Sequence, residues 1–205
     1  MGLEQLEAMV HETVTAGEPF EYGADRAEMD YLSSLAARPG TRLICEVGFN
    51  AGFSSWAFLS GSPSVIVYSF DLAGYAYSSA AKEHIDELFP ERHNLIRGDS
   101  HVTITEFAKQ NPDLRFDVVF VDGDHSPEGA RADLADLRPM TTPETVVVMD
   151  DIMPWLWYGE GPTTAWQEAV DAGLIAHRSF FQDGDPVEKI EPPASRAWAE
   201  GFYPR

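Results

Sequence analysis

Apolar residues follow two alternating patterns along the chain. Short apolar runs at Arg42–Val47, Val65–Phe70, Asn94–Arg97, Phe116–Val121, Thr145–Met149 and Leu174–Phe181 predict strands. Between them, helical spacing predicts helices over Phe53–Leu59, Ser78–Leu88, Val102–Lys109, Pro127–Leu137 and Thr163–Ala172. Two more helical patterns come first: residues 3–15 carry Leu3, Leu6, Met9 and Val10, and residues 24–37 carry Met29, Leu32, Leu35 and Ala36. The breaker-rich stretch Ala16-Gly17-Glu18-Pro19 separates them. Residues 183–205 are rich in proline and predict a mostly irregular tail with room for one strand. Several strand runs are continuously apolar, as expected of parallel strands covered on both faces. Strand and helix in repeated alternation mean an α/β chain built on a doubly wound sheet. The expected organisation is one domain over 1–205, with N-terminal helices at 1–40, the α/β core at 41–182 and the tail at 183–205.

Ligands of such sheets bind beyond the carboxyl ends of the strands, so the residues just past each strand are informative. Strand one ends Glu46-Val47-Gly48-Phe49-Asn50-Ala51-Gly52, and strand two ends Phe70-Asp71. Strand three ends Arg97-Gly98-Asp99-Ser100, strand four Val121-Asp122-Gly123-Asp124-His125, and strand five Met149-Asp150-Asp151. Every one carries a carboxylate at the ligand edge. Asp commonly caps the helix that follows a strand, but the doubled Asp150-Asp151 and the Asp-Gly-Asp-His run exceed what capping needs. Gly48 and Gly52 let the first turn approach a ligand closely, and Asn50 between them tolerates left-handed geometry. The glycine spacing is not the dinucleotide fingerprint, which argues against a dehydrogenase. Asp71 is placed to accept hydrogen bonds from a ribose diol.

Charge narrows the partners. Thirty-four acidic and fourteen basic residues give a formal charge of −20 over 205 residues. A field of that sign disfavours nucleic acid, an anionic membrane surface and a highly phosphorylated substrate. The single cysteine, Cys45, excludes an intramolecular disulfide framework and a multi-cysteine zinc site. Met1 to Val10 carries Glu4 and Glu7 and no basic residue, unlike a secretory signal, and no apolar run reaches the length of a membrane span. The expectation is a cytoplasmic protein without membrane or nucleic-acid partners. The apolar N-terminal helices leave a homodimer open.

Glu46-Val-Gly-Phe-Asn-Ala-Gly-Phe-Ser, Ser-Phe-Asp71, Gly-Asp99-Ser100, Val-Asp122-Gly-Asp124-His125 and Met-Asp150-Asp151 occur in this order at fitting intervals. Together they resemble a class I S-adenosylmethionine-dependent methyltransferase, and more narrowly the small metal-dependent sugar O-methyltransferases of macrolide and aminocoumarin biosynthesis. The likeness runs from about Arg42 to Ala172. It implies a Rossmann-like fold with a mostly parallel seven-stranded sheet and helices on both faces. It also implies that Gly48 and its loop hold the methionine part of the cofactor, with Glu46, Asn50, Gly52 and Ser54 in the same set. Asp71 would bind the ribose and Asp99 with Ser100 the adenine edge, while Asp122 would serve both cofactor and metal. Asp122, Asp150 and Asp151 would hold Mg²⁺ or Mn²⁺. Catechol-type relatives end strand five in Asp-Asn, so Asp151 departs toward the sugar-modifying group.

An alcohol is a poor nucleophile near neutral pH, and a metal on the hydroxyl lowers its pKa. Asp124 and His125 are the two candidates to take the proton, His125 having the better resting pKa. Trp155, Trp157 and Tyr158 follow the Asp-Asp pair in a loop broken by Pro154 and Gly159. They either stack on a sugar or pin the loop to the core. Trp166 is expected in the core; Arg178 and Arg196 either contact substrate or, the reading preferred, lie at the surface. Tyr22 is placed to close over the cofactor. The expected function is methyl transfer to a hydroxyl of a small saccharide or glycoside. The alternatives are a catechol-like phenol methyltransferase and a non-catalytic nucleoside-binding protein.

Overall fold

The computed structural model describes residues 2–14 and 25–205. Two helices come first, α1 (Gly2–Thr13) and α2 (Arg26–Ala36). Then β1 (Leu43–Val47), β2 (Ile66–Asp71), β3 (His93–Arg97), β4 (Val118–Val121) and β5 (Val146–Met149) alternate with α3 (Phe53–Gly61), α4 (Ala76–Leu88), α5 (Ser100–Gln110) and α6 (Pro127–Leu137). α7 (Glu160–Asp171) leads into β6 (Ala176–Gln182), β7 (Asp185–Val187) and β8 (Ala197–Phe202). The sheet runs β3-β2-β1-β4-β5-β8-β6-β7. Its first five strands are parallel, while β8, β6 and β7 pair antiparallel. The chain reverses direction across the sheet between β1 and β4, and that reversal opens a crevice at their carboxyl ends.

Alternate residues of the buried strands feed two cores. Ile44, Val67, Phe120 and Val148 pack under α1 to α4 with Leu6, Leu32, Phe58 and Ile85. Cys45, Val47, Val119 and Met149 face the other side with Ile104, Leu134 and Trp166 of α5 to α7. Trp166 thus packs as the sequence predicts. The N-terminal stripes are covered within the chain as well, since Leu6, Val10, Met29, Leu32 and Leu35 all belong to the first core.

The sheet has eight strands rather than the expected seven because the tail supplies two, β7 and β8, where one was expected. The tail's last segment becomes β8, inserted between β5 and β6 with Ala197, Trp198 and Ala199 fully buried. Ala-Trp-Ala-Glu-Gly-Phe has weak intrinsic strand preference, so tertiary partners decide. The Trp198 ring lies 5.0 Å from that of Tyr31 and stacks 5.6 Å from that of Phe181. Glu200 accepts hydrogen bonds from the Tyr31 hydroxyl at 2.8 Å and from Arg178 Nη1 at 2.7 Å, with Arg38 at 3.3 Å. Among the described residues, no helix is long and apolar enough to cross a membrane.

Candidate active site

The turn after β1 exists because glycine occupies position 48. Gly48 has φ +95°, and a Cβ there would lie 1.9 Å from the Asp122 carbonyl oxygen. Only a hydrogen lets the ends of β1 and β4 approach this closely. Asp71, at the end of β2, then fixes the turn: its Oδ2 accepts the N–H of Phe49 at 2.7 Å and of Asn50 at 3.0 Å, and its Oδ1 accepts that of Ala73. Asn50 takes φ +46°.

A cavity of about 1080 Å³ opens over these strand ends. Gly48, Asn50, Ser54, Asp71, Asp99 and Ser100 border one end of it, and Asp122, Asp124, His125, Asp151, Tyr158 and Arg196 the other. Asp99 caps α5 by accepting the His101 N–H at 3.0 Å. Ser100 donates at 2.8 Å to Asp133, whose carboxyl is fully buried and pushed up to about 6 by that burial. Asp133 was not foreseen, although it sits on the apolar stripe Ala130, Leu134, Leu137 of α6, where a carboxylate is conspicuous.

Two residues expected to bind cofactor do not border the cavity. Glu46 is fully buried beneath the loop, and Ser55 and Ser69 each donate to its Oε2 at 2.5 Å. His93 Nε2 lies 2.9 Å from Ser69 Oγ, so the chain of donors runs from imidazole to serine to carboxyl. Burial pushes Glu46 up to about 7 against the pull of its serine partners, and it pushes His93 down to about 3. Glu46 faces the first core because residues alternate along β1. Gly52 is the second exception: at φ +77° it precedes α3 and lies against the Phe49 ring.

At the acidic end the structure regroups the expected ligands. His125 Nε2 lies 3.5 Å from Asp122 Oδ1 and 3.2 Å from Asp151 Oδ2. Hydrogen bonds to Asp122 and Asp151 push the imidazole up to about 10 although burial opposes it. Ligand atoms of Asp122, His125 and Asp151 all lie within 4.8 Å of one another, a donor set of oxygen and nitrogen that fits one divalent cation. Asp150 does not join them. It is 2 % exposed, and burial raises its carboxyl well above the usual range. Asp151 leaves the strand at φ +56°, so the two adjacent carboxylates go separate ways.

Beside Asp150 stand two residues whose importance was not foreseen. Arg196, expected at the surface, places Nη1 3.3 Å from Asp151 Oδ1 and 3.9 Å from Asp150 Oδ2, and Nε 4.0 Å from Glu28 Oε2. Asp183 Oδ1 holds the backbone before β8 by accepting the N–H groups of Ser195 and Arg196. Glu28 of α2 is buried, which pushes its carboxyl up to about 8, with Arg196 opposing. Arg178 pairs with Glu200 instead of bordering the cavity. Asp124 is exposed and accepts the Ser126 N–H at 2.7 Å. Trp157 is 82 % exposed at the cavity mouth, with its ring 5.5 Å edge-on to that of Tyr158, whereas Trp155 does not border the cavity. Tyr22 lies outside the described residues.

A family profile described as "Methyltransferase domain" matches residues 45–152. No curated protein matches the chain significantly. Among solved structures, an O-methyltransferase from Bacillus cereus in complex with S-adenosylhomocysteine has a TM-score of 0.76 at 15% identity, covering 98% of this chain and 91% of that one. CalS11, a TDP-rhamnose 3'-O-methyltransferase of calicheamicin biosynthesis, has a TM-score of 0.62 at 18% identity, covering 96% and 92%. A Staphylococcus aureus protein assigned as a caffeoyl-CoA O-methyltransferase has a TM-score of 0.71 at 14% identity, covering 98% and 92%. At such identities the likeness establishes the class I fold and leaves the acceptor to the site itself.

Proposed function

The chain belongs to the methyltransferase-domain family and shares its fold with O-methyltransferases, and on that premise we propose that it methylates a hydroxyl of a sugar or glycoside, using S-adenosylmethionine and a divalent ion. One observation carries the reading. A single cavity joins the Gly48 turn and Asp71 to the Asp122, His125 and Asp151 cluster, with the exposed Trp157 and the half-buried Tyr158 at its mouth.

Bound S-adenosylmethionine supplies a methyl group already activated by its sulfonium. The chain's part is to hold and orient. The Gly48 turn would leave room for the methionine portion, Asp71 would offer its remaining lone pairs to the ribose hydroxyls, and Asp99 and Ser100, which border the same cavity, would meet the adenine. A divalent ion at the acidic end would supply the positive charge that lowers an acceptor hydroxyl's pKa. Trp157 and Tyr158 offer faces for a pyranose ring and help exclude water from the reacting hydroxyl. Asp124 and His125 border the same end and are the groups able to take the acceptor's proton.

Methyl transfer from labelled S-adenosylmethionine to a panel of glycosides, free sugars and simple catechols, with and without chelator, tests this. Ion-dependent methylation of a glycoside supports it. Methylation of catechols alone would move the chain to the phenolic class, which the S. aureus protein's name suggests for that protein. Cofactor binding without transfer to any acceptor would leave a non-catalytic nucleoside-binding protein.

A further inference from the structure

We propose that the divalent ion is held by Asp122, His125 and Asp151, with Asp150 outside the donor set, and that the site therefore prefers a borderline first-row ion such as Mn²⁺ or Co²⁺ to Mg²⁺. This rests on the functional reading above, in which an ion assists methyl transfer. It departs from the donor set that the sequence resemblance implies.

Geometry comes first. Ions of this class bind nitrogen and oxygen at about 2.0–2.2 Å, so neighbouring donors sit about 3 Å apart and opposite ones about 4.2 Å. His125 Nε2 lies 3.2 Å from Asp151 Oδ2 and 3.5 Å from Asp122 Oδ1, within the spacing of neighbouring donors around one ion. Arg196 Nη1 engages the other oxygen of Asp151, Oδ1, at 3.3 Å. That leaves Oδ2, the oxygen nearest the imidazole, to the ion.

Asp150 is kept elsewhere. Its Oδ2 faces Arg196, the buried Glu28 carboxyl is its neighbour on the α2 side, and it does not border the cavity. The split between the neighbours comes from the left-handed backbone of Asp151, a conformation that persists only where its surroundings over-determine it. Here they do. The Asp151 carbonyl accepts the Met153 N–H at 2.7 Å, and Gly159 packs so tightly on it that a Cβ there would come within 2.8 Å.

Chemistry sets the ion. Mg²⁺ prefers oxygen donors throughout and dehydrates reluctantly, whereas imidazole favours first-row transition ions. Two carboxylates and one neutral imidazole balance a divalent charge. An imidazole nitrogen spent on the ion cannot also take the acceptor's proton, which leaves that task to Asp124, exposed beside it with Oδ2 unbound by the Ser126 N–H.

The test uses the full chain stripped of metal. Calorimetric titration with MnCl₂, CoCl₂ and MgCl₂ should give Mn²⁺ and Co²⁺ affinities at least about tenfold above Mg²⁺. Pulsed electron paramagnetic resonance of the Mn²⁺ form should show coupling to one directly bound ¹⁴N. His125→Ala should abolish that coupling and weaken Mn²⁺ binding by at least about tenfold, while Asp150→Asn should leave both nearly unchanged. Wild-type protein that binds Mn²⁺ without nitrogen coupling overturns the donor set, as does loss of binding in Asp150→Asn with retention in His125→Ala. The nitrogen signal needs no variant, so a misfolded Asp150→Asn protein would not spare the proposal. A chain that binds no divalent ion refutes the ion-assisted reading itself, a result distinct from a wrong donor set.

Discussion

Replacing Glu46 by Gln separates two forces acting on the carboxyl beneath the cofactor turn. Serine hydroxyls stabilise its charge, whereas complete burial opposes it, and burial prevails: the carboxyl sits at about 7 in the folded chain against 4.5 ordinarily. The folded chain thus keeps a proton that the unfolded chain has already released between those values. The contribution of Glu46 to stability must therefore fall as pH rises through that window and level off above it. At about 1.36 kcal/mol per pH unit, the whole loss is about 3 kcal/mol, of which about 2 kcal/mol falls between about pH 5.5 and 8.5. Gln keeps the shape and an acceptor for Ser55 and Ser69 but cannot ionise. Urea unfolding of both proteins at those two pH values reads the difference. The variant should gain about 2 kcal/mol on the wild type from the lower to the higher pH. His93, with its pKa near 3 in the folded chain against 6.5 ordinarily, adds a rise in stability with pH at the acidic end of this range, and because both proteins share that rise it cancels in their difference. A wild-type-to-variant gap independent of pH would mean that Glu46 is charged at both values, and burial would not be the dominant force.

Asp71→Ala removes the acceptor of the Phe49 and Asn50 N–H groups as well as the proposed ribose contact, so S-adenosylmethionine affinity should drop by about 2–3 kcal/mol. Equal calorimetric affinities would refute that placement. Trp157→Ala should leave thermal stability within about 0.5 kcal/mol because the side chain is 82 % exposed, yet raise KM for a glycoside acceptor. An unchanged KM would remove it from the acceptor site. Gly48→Ala should destabilise the fold by more than about 3 kcal/mol, since its Cβ would overlap the Asp122 carbonyl, and a normal melting temperature would contradict the close approach of β1 and β4.

The parallel half of the sheet was legible because its strands are continuous apolar runs, such as Val-Val-Phe-Val and Val-Val-Val-Met, with no competing helical spacing. β8 was not, because nothing local makes it a strand. Trp198 finds Tyr31 and Phe181, and Glu200 finds Tyr31, Arg38 and Arg178. All but Phe181 and Arg178 come from α2 or just after it, far away in sequence. Such pairings leave no periodicity to read. Asp133 left a trace, as a carboxylate on the apolar stripe of α6, and Glu28 left the same kind of trace on α2, in line with Leu32 and Leu35.

The strand-end rule located the acids but could not say which way each would face, and the division of labour follows from facing. Asp71 turns toward the Gly48 loop, Asp99 toward α5, Glu46 into the core, and Asp150 and Asp151 part company at one left-handed residue. The residues that fix the last pair come from outside the family's matched segment, 45–152: Glu28 precedes it and Arg196 follows it. Trp157 and Tyr158 also lie beyond its end, whereas Gly48, Asp71, Asp99, Ser100 and Asp122 lie within it. The segment shared by the family thus carries the proposed cofactor edge and the acidic cluster, and the flanks add Trp157, Tyr158 and Arg196 to what an acceptor would meet. Two chains with the same profile match can then differ in acceptor through residues the profile never covers. For this chain the flanks contribute an aromatic mouth and an Arg196 guanidinium already engaged by Asp151, with no other lysine or arginine bordering the cavity among the described residues. Such an acceptor end would favour an uncharged polyhydroxyl ring over a phosphorylated one, because the carboxylates of Asp122 and Asp151 already balance the charge of the proposed divalent ion, Arg196 is engaged by Asp151, and Asp124 adds a further negative charge.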